Sequence, residues 1–130
     1  MRILLAEDDF VSRKFMDKQL SKYGDCDVVV DGEEAVEAFM MALEDGEPYD
    51  LACLDVMMPV MDGYQVLRSI RSIEAQRNTP KDKCIKVIMT TALKDERNVR
   101  LAFKLGCEAY AGKPIDVEKF ENILRKLKLL

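Results

Sequence analysis

The chain has 130 residues, 48% of them hydrophobic and 34% charged, with a net charge of −4 and no histidine. That length suits one compact domain, expected to span residues 1–130. The mild negative charge and the lack of a basic tract argue against direct nucleic-acid binding, and no apolar run is long enough to cross a bilayer or to form a signal-peptide core.

The four cysteines, Cys26, Cys53, Cys84 and Cys107, are widely spaced and never form a C-x-x-C pair. A zinc site would have to gather thiolates from scattered positions. They read as reduced, structural residues, which fits a cytoplasmic protein.

Arg2 to Ala6 reads as a first strand, followed by the acids Glu7, Asp8 and Asp9. A helical pattern then runs from about Phe10 to Tyr23, with Val11, Phe15, Met16 and Leu20 near one face and Arg13, Lys14, Asp17 and Lys18 toward the other. Gly24 stops it. Cys26 to Val30 is the second strand. Asp31 can cap the next helix, with Glu34 at capping-box spacing. Ala35, Val36, Phe39, Met40 and Leu43 give that helix its apolar stripe, and Gly46-Glu47-Pro48 ends it.

Leu51 to Leu54 is an unbroken apolar run, as expected of a strand covered on both faces, and Asp55 stands where it ends. Pro59 biases Met58 away from helix, and Asp62-Gly63 makes a turn that can cap a helix over Gly63 to Gln76, burying Val66, Leu67, Ile70 and Ile73. After a polar loop from Arg77 to Lys83, Cys84 to Thr90 is the fourth strand, running into Thr91. A helix over about Asp95 to Leu105 carries Val99, Ala102, Phe103 and Leu105. Glu108 to Gly112 is a weaker fifth strand, broken by Lys113-Pro114. Asp116 opens a last helix with Val117, Phe120, Ile123, Leu124 and Leu127 inward.

Five strand–helix pairs with short connections predict an α/β fold: a flavodoxin-like parallel sheet in the order 2-1-3-4-5, with helices on both faces. In that order the first and third strands are neighbours, so Glu7, Asp8 and Asp55 converge at the switch point. Crowded carboxylates call for a compensating cation, and oxygen donors without histidine or thiolate favour Mg²⁺. Lys113 adds a second positive charge and Thr91 a hydroxyl donor. This set suits phosphoryl transfer onto Asp55.

The pieces ILLAEDD, LDVMMPVMDG, VIMTTA and Tyr110-Ala111-Gly112-Lys113-Pro114 together resemble the receiver domain of bacterial two-component response regulators, over essentially the whole chain. The resemblance implies that Asp55 is the phosphoryl acceptor. It further implies that Glu7 and Asp8 hold Mg²⁺ with Asp55 and the backbone carbonyl of Met57, that Thr91 and Lys113 bind phosphoryl oxygens, and that Thr91 and Tyr110 form a switch pair. The implied donor is a phosphohistidine on a sensor histidine kinase or phosphotransfer protein, or a small acyl phosphate. The implied readout is a changed surface of the fourth helix, fifth strand and fifth helix, including some of Lys94, Arg97, Arg100, Lys104, Lys119 and Lys126, for an output protein the sequence does not name.

Some positions depart from that pattern. Glu7 stands where many members have Asp, and Ile115 where Phe is frequent. Glu108-Ala109 replaces the aspartate pair of the winged-helix branch. Met57 and Leu93, two residues beyond Asp55 and Thr91, are expected to flank the phosphoryl group and hinder in-line attack by water.

Three rivals remain. An aspartate-nucleophile phosphatase would need a general acid where Met57 stands. A nucleotide or flavin binder would need a Gly/Ser/Thr-rich first loop in place of Glu7-Asp8-Asp9. A pseudo-receiver would bind partners without phosphorylation. The Met1 start and the short tail favour a stand-alone receiver over a piece of a larger regulator.

Overall fold

The computed structural model describes residues 1–92 and 96–130. Five parallel strands, β1 (Arg2–Ala6), β2 (Asp25–Val29), β3 (Leu51–Asp55), β4 (Lys86–Thr91) and β5 (Ala109–Gly112), form one sheet in the order β2-β1-β3-β4-β5. The helices α1 (Phe10–Leu20), α2 (Gly32–Glu44), α3 (Gly63–Gln76), α4 (Glu96–Lys104) and α5 (Val117–Lys126) alternate with them. This is the predicted topology. Successive strand residues point to opposite faces. Leu4, Ala52, Leu54, Val87 and Met89 therefore meet α2 and α3, whereas Ile3, Leu5, Leu51, Cys53 and Ile88 meet α1 and α5.

Among the described residues, four helices are started by aspartates. Asp9, Asp31, Asp62 and Asp116 each accept a hydrogen bond from the backbone N–H three residues on, which satisfies a donor that the first turn leaves open. The expected box at Asp31 is only half made, because Glu34 accepts from the N–H of Val30 instead, at 3.3 Å. The complete box is at α3, where Gln65 accepts from the N–H of Asp62 at 2.9 Å.

Several expected faces are shifted. Val11 and Phe15 are 73% and 46% exposed, and Met16, Gln19 and Leu20 are the buried side of α1. At about 100° per residue, Val11 and Phe15 lie a quarter-turn or more from that side. Met40 is exposed and Ala42 takes its place in the core, because α2 buries Gly32, Ala35, Phe39 and Ala42 at spacings of three and four. Phe103 is likewise exposed, leaving Ala102 as the buried residue of α4. α1 ends at Leu20, short of Tyr23, and β4 begins at Lys86 because a 3-10 turn at Lys81–Lys83 delays its pairing.

The connection from β3 to α3 bends at Pro59-Val60-Met61. The N–H of Met61 donates to the carbonyl of Pro59 at 2.7 Å, and Val60 sits at φ 69°. That is a γ-turn of the positive-φ form, strained for a β-branched residue. Val60 is also 74% exposed, so its side chain returns little packing. Val60→Gly should therefore raise stability by about 1 kcal/mol, strain relief outweighing the extra freedom of glycine in the unfolded chain. Urea unfolding checks this, and a lower midpoint would show that the valine is held by contacts.

Candidate functional site

β1 and β3 are hydrogen-bonded neighbours, so the residues that follow Ala6 and the last residue of β3 meet at the carboxyl edge of the sheet. Glu7 and Asp55 are both buried, Asp55 to 4% exposure, while Asp8 is exposed. One carboxylate oxygen from each of Glu7, Asp8 and Asp55 lies within 4.8 Å of the others. Asp9 is released for capping α1 by its hydrogen bond from Ser12, 2.9 Å.

Lys113 reaches into this cluster from the end of β5, bonding Glu7 and lying 3.3 Å from Oδ1 of Asp55. Its backbone N–H donates to the carbonyl of Thr91 at 2.8 Å, so the β4 and β5 ends that carry Thr91 and Lys113 are tied together. Thr91 is fully buried. The N–H of Met57 turns back toward Oδ1 of Asp55, 3.4 Å away, while its side chain is 61% exposed.

Electrostatics follow from this packing. Burial, then the hydrogen bond with Glu7 and its charge, push the Asp55 carboxyl up to about 7, against the pull of Lys113. Burial works against the charge on Lys113, but its contacts with Glu7 and Asp55 outweigh it and hold the ammonium above its ordinary value. Three acids sharing one lysine leave negative charge in excess. The donors available are carboxylate oxygens, with no histidine in the chain. Such a set fits a hard divalent cation of the Mg²⁺ class.

Tyr110, on β5, is half-buried and pairs in register with Met89 of β4. It lines a groove of about 350 Å³ with Val99 of α4 and Ile115, Phe120 and Ile123 around α5. Arg97, Arg100, Lys104, Lys119 and Lys126 are exposed, and Arg100 pairs with Glu96 at 3.6 Å. Leu93 and Lys94 lie outside the described residues.

Two contacts, one at the acid pair and one between α3 and α4, are not read from the sequence. Arg13, read as a solvent-face residue, donates to the backbone carbonyls of Glu7 and Asp8 at 3.2 and 3.0 Å and so fixes the acid pair from α1. Its signal is the spacing of six residues from Glu7, little more than one helical turn beyond Asp9. Tyr64, at the start of α3, donates to Asn98 of α4, with both the carbonyl and Oδ1 at 3.2 Å. No local pattern announces a contact across 34 residues.

The response regulator receiver domain model matches residues 3–125. The chain belongs to this family. The receiver is 32% identical to the two-component response regulator ORR41 of Oryza sativa subsp. japonica, over 99% of this chain and 95% of that protein. It is 33% identical to the probable transcriptional regulator ycf27 of Cyanophora paradoxa, over 97% of this chain and 47% of that one. It thus spans about half the length of some curated relatives it matches. Among solved structures, the receiver domain of the histidine kinase CKI1 from Arabidopsis thaliana, complexed with Mg²⁺ and BeF₃⁻, superimposes with a TM-score of 0.82 at 25% identity, covering 98% of this chain and 89% of that one. Among the described residues, no helix of the receiver is long and apolar enough to cross a membrane.

Proposed function

We propose that the receiver is a switch that takes a phosphoryl group onto Asp55. The observation that carries this reading is the meeting of Glu7, Asp8, Asp55 and Lys113 at one sheet edge. An oxygen of the Asp55 carboxylate attacks phosphorus in line; the new O–P bond forms as the donor's N–P or O–P bond breaks, and the leaving group keeps the electron pair. Lys113 and Thr91 hold the equatorial oxygens, where negative charge is spread in the transition state. Glu7, Asp8, Asp55 and the Met57 carbonyl would hold Mg²⁺. When bound, the ion neutralises charge on the phosphoryl oxygens and keeps Asp55 ionised.

The donor is a phosphohistidine on a sensor histidine kinase or phosphotransfer protein, or an acyl phosphate. Val11, Phe15, Pro114 and Ile115 line a groove of about 310 Å³ beside Lys113 on which a donor protein can seat. Thr91 and Tyr110 transmit the state of Asp55 to the α4–β5–α5 surface, where an output protein binds. The receiver acts on itself rather than turning over an outside substrate, and its four free thiols suit the cytoplasm. Met57, at the position where an aspartate-nucleophile phosphatase needs its acid, speaks against that rival.

Incubation with acetyl phosphate and Mg²⁺ should add one phosphoryl group to the intact mass of the parent and none to Asp55→Asn. An unaltered parent mass, or equal labelling of the variant, overturns the reading.

A further inference from the structure

Gly32, the first residue of α2, is buried, and the reason for a glycine there is a neighbour from another part of the chain. A Cβ at this position would lie 2.0 Å from the carbonyl oxygen of Met61 and 2.8 Å from both its carbonyl carbon and its Cβ. Two of these three atoms are backbone, so no rotamer change relieves the collision. Met61 closes the strained γ-turn on the connection that leaves Asp55.

The start of α2 cannot easily give way. Asp31 accepts from the N–H of Glu34 at 2.9 Å, Glu34 accepts from Val30, and Ala35 anchors the first turn in the core. The far end of the connection is clamped as well. A Cβ on Gly63 would lie 2.4 Å from the carbonyl oxygen of Asp55, and the N–H of Gly63 donates to the carbonyl of Val56 at 2.9 Å. The stretch from Val56 to Asp62, Met57 included, is therefore held between two glycine contacts. One of them belongs to α2, which supplies no group to the acidic cluster.

We infer that Gly32 is a positioning residue for phosphoryl transfer: by lacking a Cβ it lets the Met61 carbonyl seat against α2, and so sets the path of the connection that presents Asp55 and the Met57 carbonyl. The inference rests on Asp55 being the phosphoacceptor. A displacement of about 1 Å in a reacting group is enough to cost two orders of magnitude in rate. A Cβ 2.0 Å from an oxygen demands a shift of about that size before ordinary contact is restored.

Gly24 supplies the control. A Cβ there would also lie 2.0 Å from a carbonyl oxygen, that of Met1, but at the opposite end of the sheet. Gly32→Ala and Gly24→Ala are compared with the parent by urea unfolding, by calorimetric titration with MgCl₂, and by the rate of mass gain from acetyl phosphate. Gly32→Ala should bind Mg²⁺ at least tenfold more weakly and label at least tenfold more slowly, while Gly24→Ala stays within twofold of the parent in both. Adding Val60→Gly to Gly32→Ala loosens the turn and should recover part of the Mg²⁺ affinity. If Gly32→Ala is unfolded in buffer, the MgCl₂ titrations and the labelling rates are repeated for all variants in trimethylamine N-oxide, which favours the compact state.

Mg²⁺ affinity in Gly32→Ala within twofold of the parent, or equal losses in the two alanine variants, overturns the positioning role. A parent that binds Mg²⁺ but gains no phosphoryl group overturns the phosphoacceptor reading instead, and the Mg²⁺ affinities still decide what Gly32 does to the connection.

Discussion

At pH 8 without divalent metal, Asp55→Asn is expected to be more stable than the parent by about 2 kcal/mol, or roughly 8 °C in melting temperature. Asp55 is nearly enclosed, and burial with the adjacent Glu7 lifts its carboxyl from 3.8 to about 7. Between those two values the unfolded chain has released this proton and the folded receiver still holds it. Stability from this group is thus fully present below pH 4 and lost as pH rises through about 7. The full shift corresponds to about 4 kcal/mol, and about half is assigned to Asp55 because Glu7 and Lys113 share the titration. The amide is isosteric and uncharged, so the variant escapes the loss. The two melting curves should converge near pH 4.

Mg²⁺ should close the gap at pH 8 from the other side. A cation held by Glu7, Asp8 and Asp55 binds the ionised form and stabilises the parent by mass action, whereas the variant has lost one anionic ligand. Thermal scans at pH 4, 6 and 8, with and without MgCl₂, check both signs. A parent as stable as Asp55→Asn at pH 8 without metal would mean that the carboxyl ionises without cost and that the acids are not crowded.

The strand order and the meeting of Glu7, Asp8, Asp55 and Lys113 were legible because they rest on local signals. Short, mostly apolar runs followed by Glu7 and Asp8, Asp55, Thr91 and Lys113 place those residues at carboxyl ends of parallel strands, and short connections leave few topologies. Which side chains of each helix face the sheet was not legible. Val11 and Phe15 belong to a helix with apolar residues on more than one side, and only the position of the sheet decides that Met16 and Leu20 are the ones buried. Ile73 looked like the end of the α3 stripe, yet the buried residue beside it is Glu74. A carboxylate is a poor core candidate until its partners are seen. The positive φ of Val60 was hidden for a related reason: a backbone path fixed by contacts elsewhere overrides the preference of the residue that adopts it.

Those partners of Glu74 support the second large effect, a loss of about 3–5 kcal/mol in Arg71→Met. Arg71 on α3 donates to Glu74 at 2.7 Å, to Glu108 at 2.5 and 3.0 Å, to the carbonyl of Ile85 at 2.8 Å, and to that of Gly106 at 3.1 and 2.8 Å. Glu74 in turn accepts from the N–H of Ile85 at 2.8 Å. One guanidinium thus joins α3 to the start of β4 and to the turn between α4 and β5. Methionine fills comparable volume but leaves two carboxylates and two carbonyls without this donor, and an uncompensated buried charge costs far more than an intact pair contributes. Burial already pushes the Glu108 carboxyl up against the pull of Arg71. Without the arginine, Glu108 rises further, so the deficit should be larger at pH 8 than at pH 5, since protonation of that carboxyl relieves it. The clamp sits at the amino ends of the strands, away from Asp55. Folded Arg71→Met should therefore still gain a phosphoryl group from acetyl phosphate at a rate near the parent's. Urea unfolding at the two pH values together with the labelling rate tests the argument, and a loss below about 1 kcal/mol would place the cluster among ordinary surface pairs.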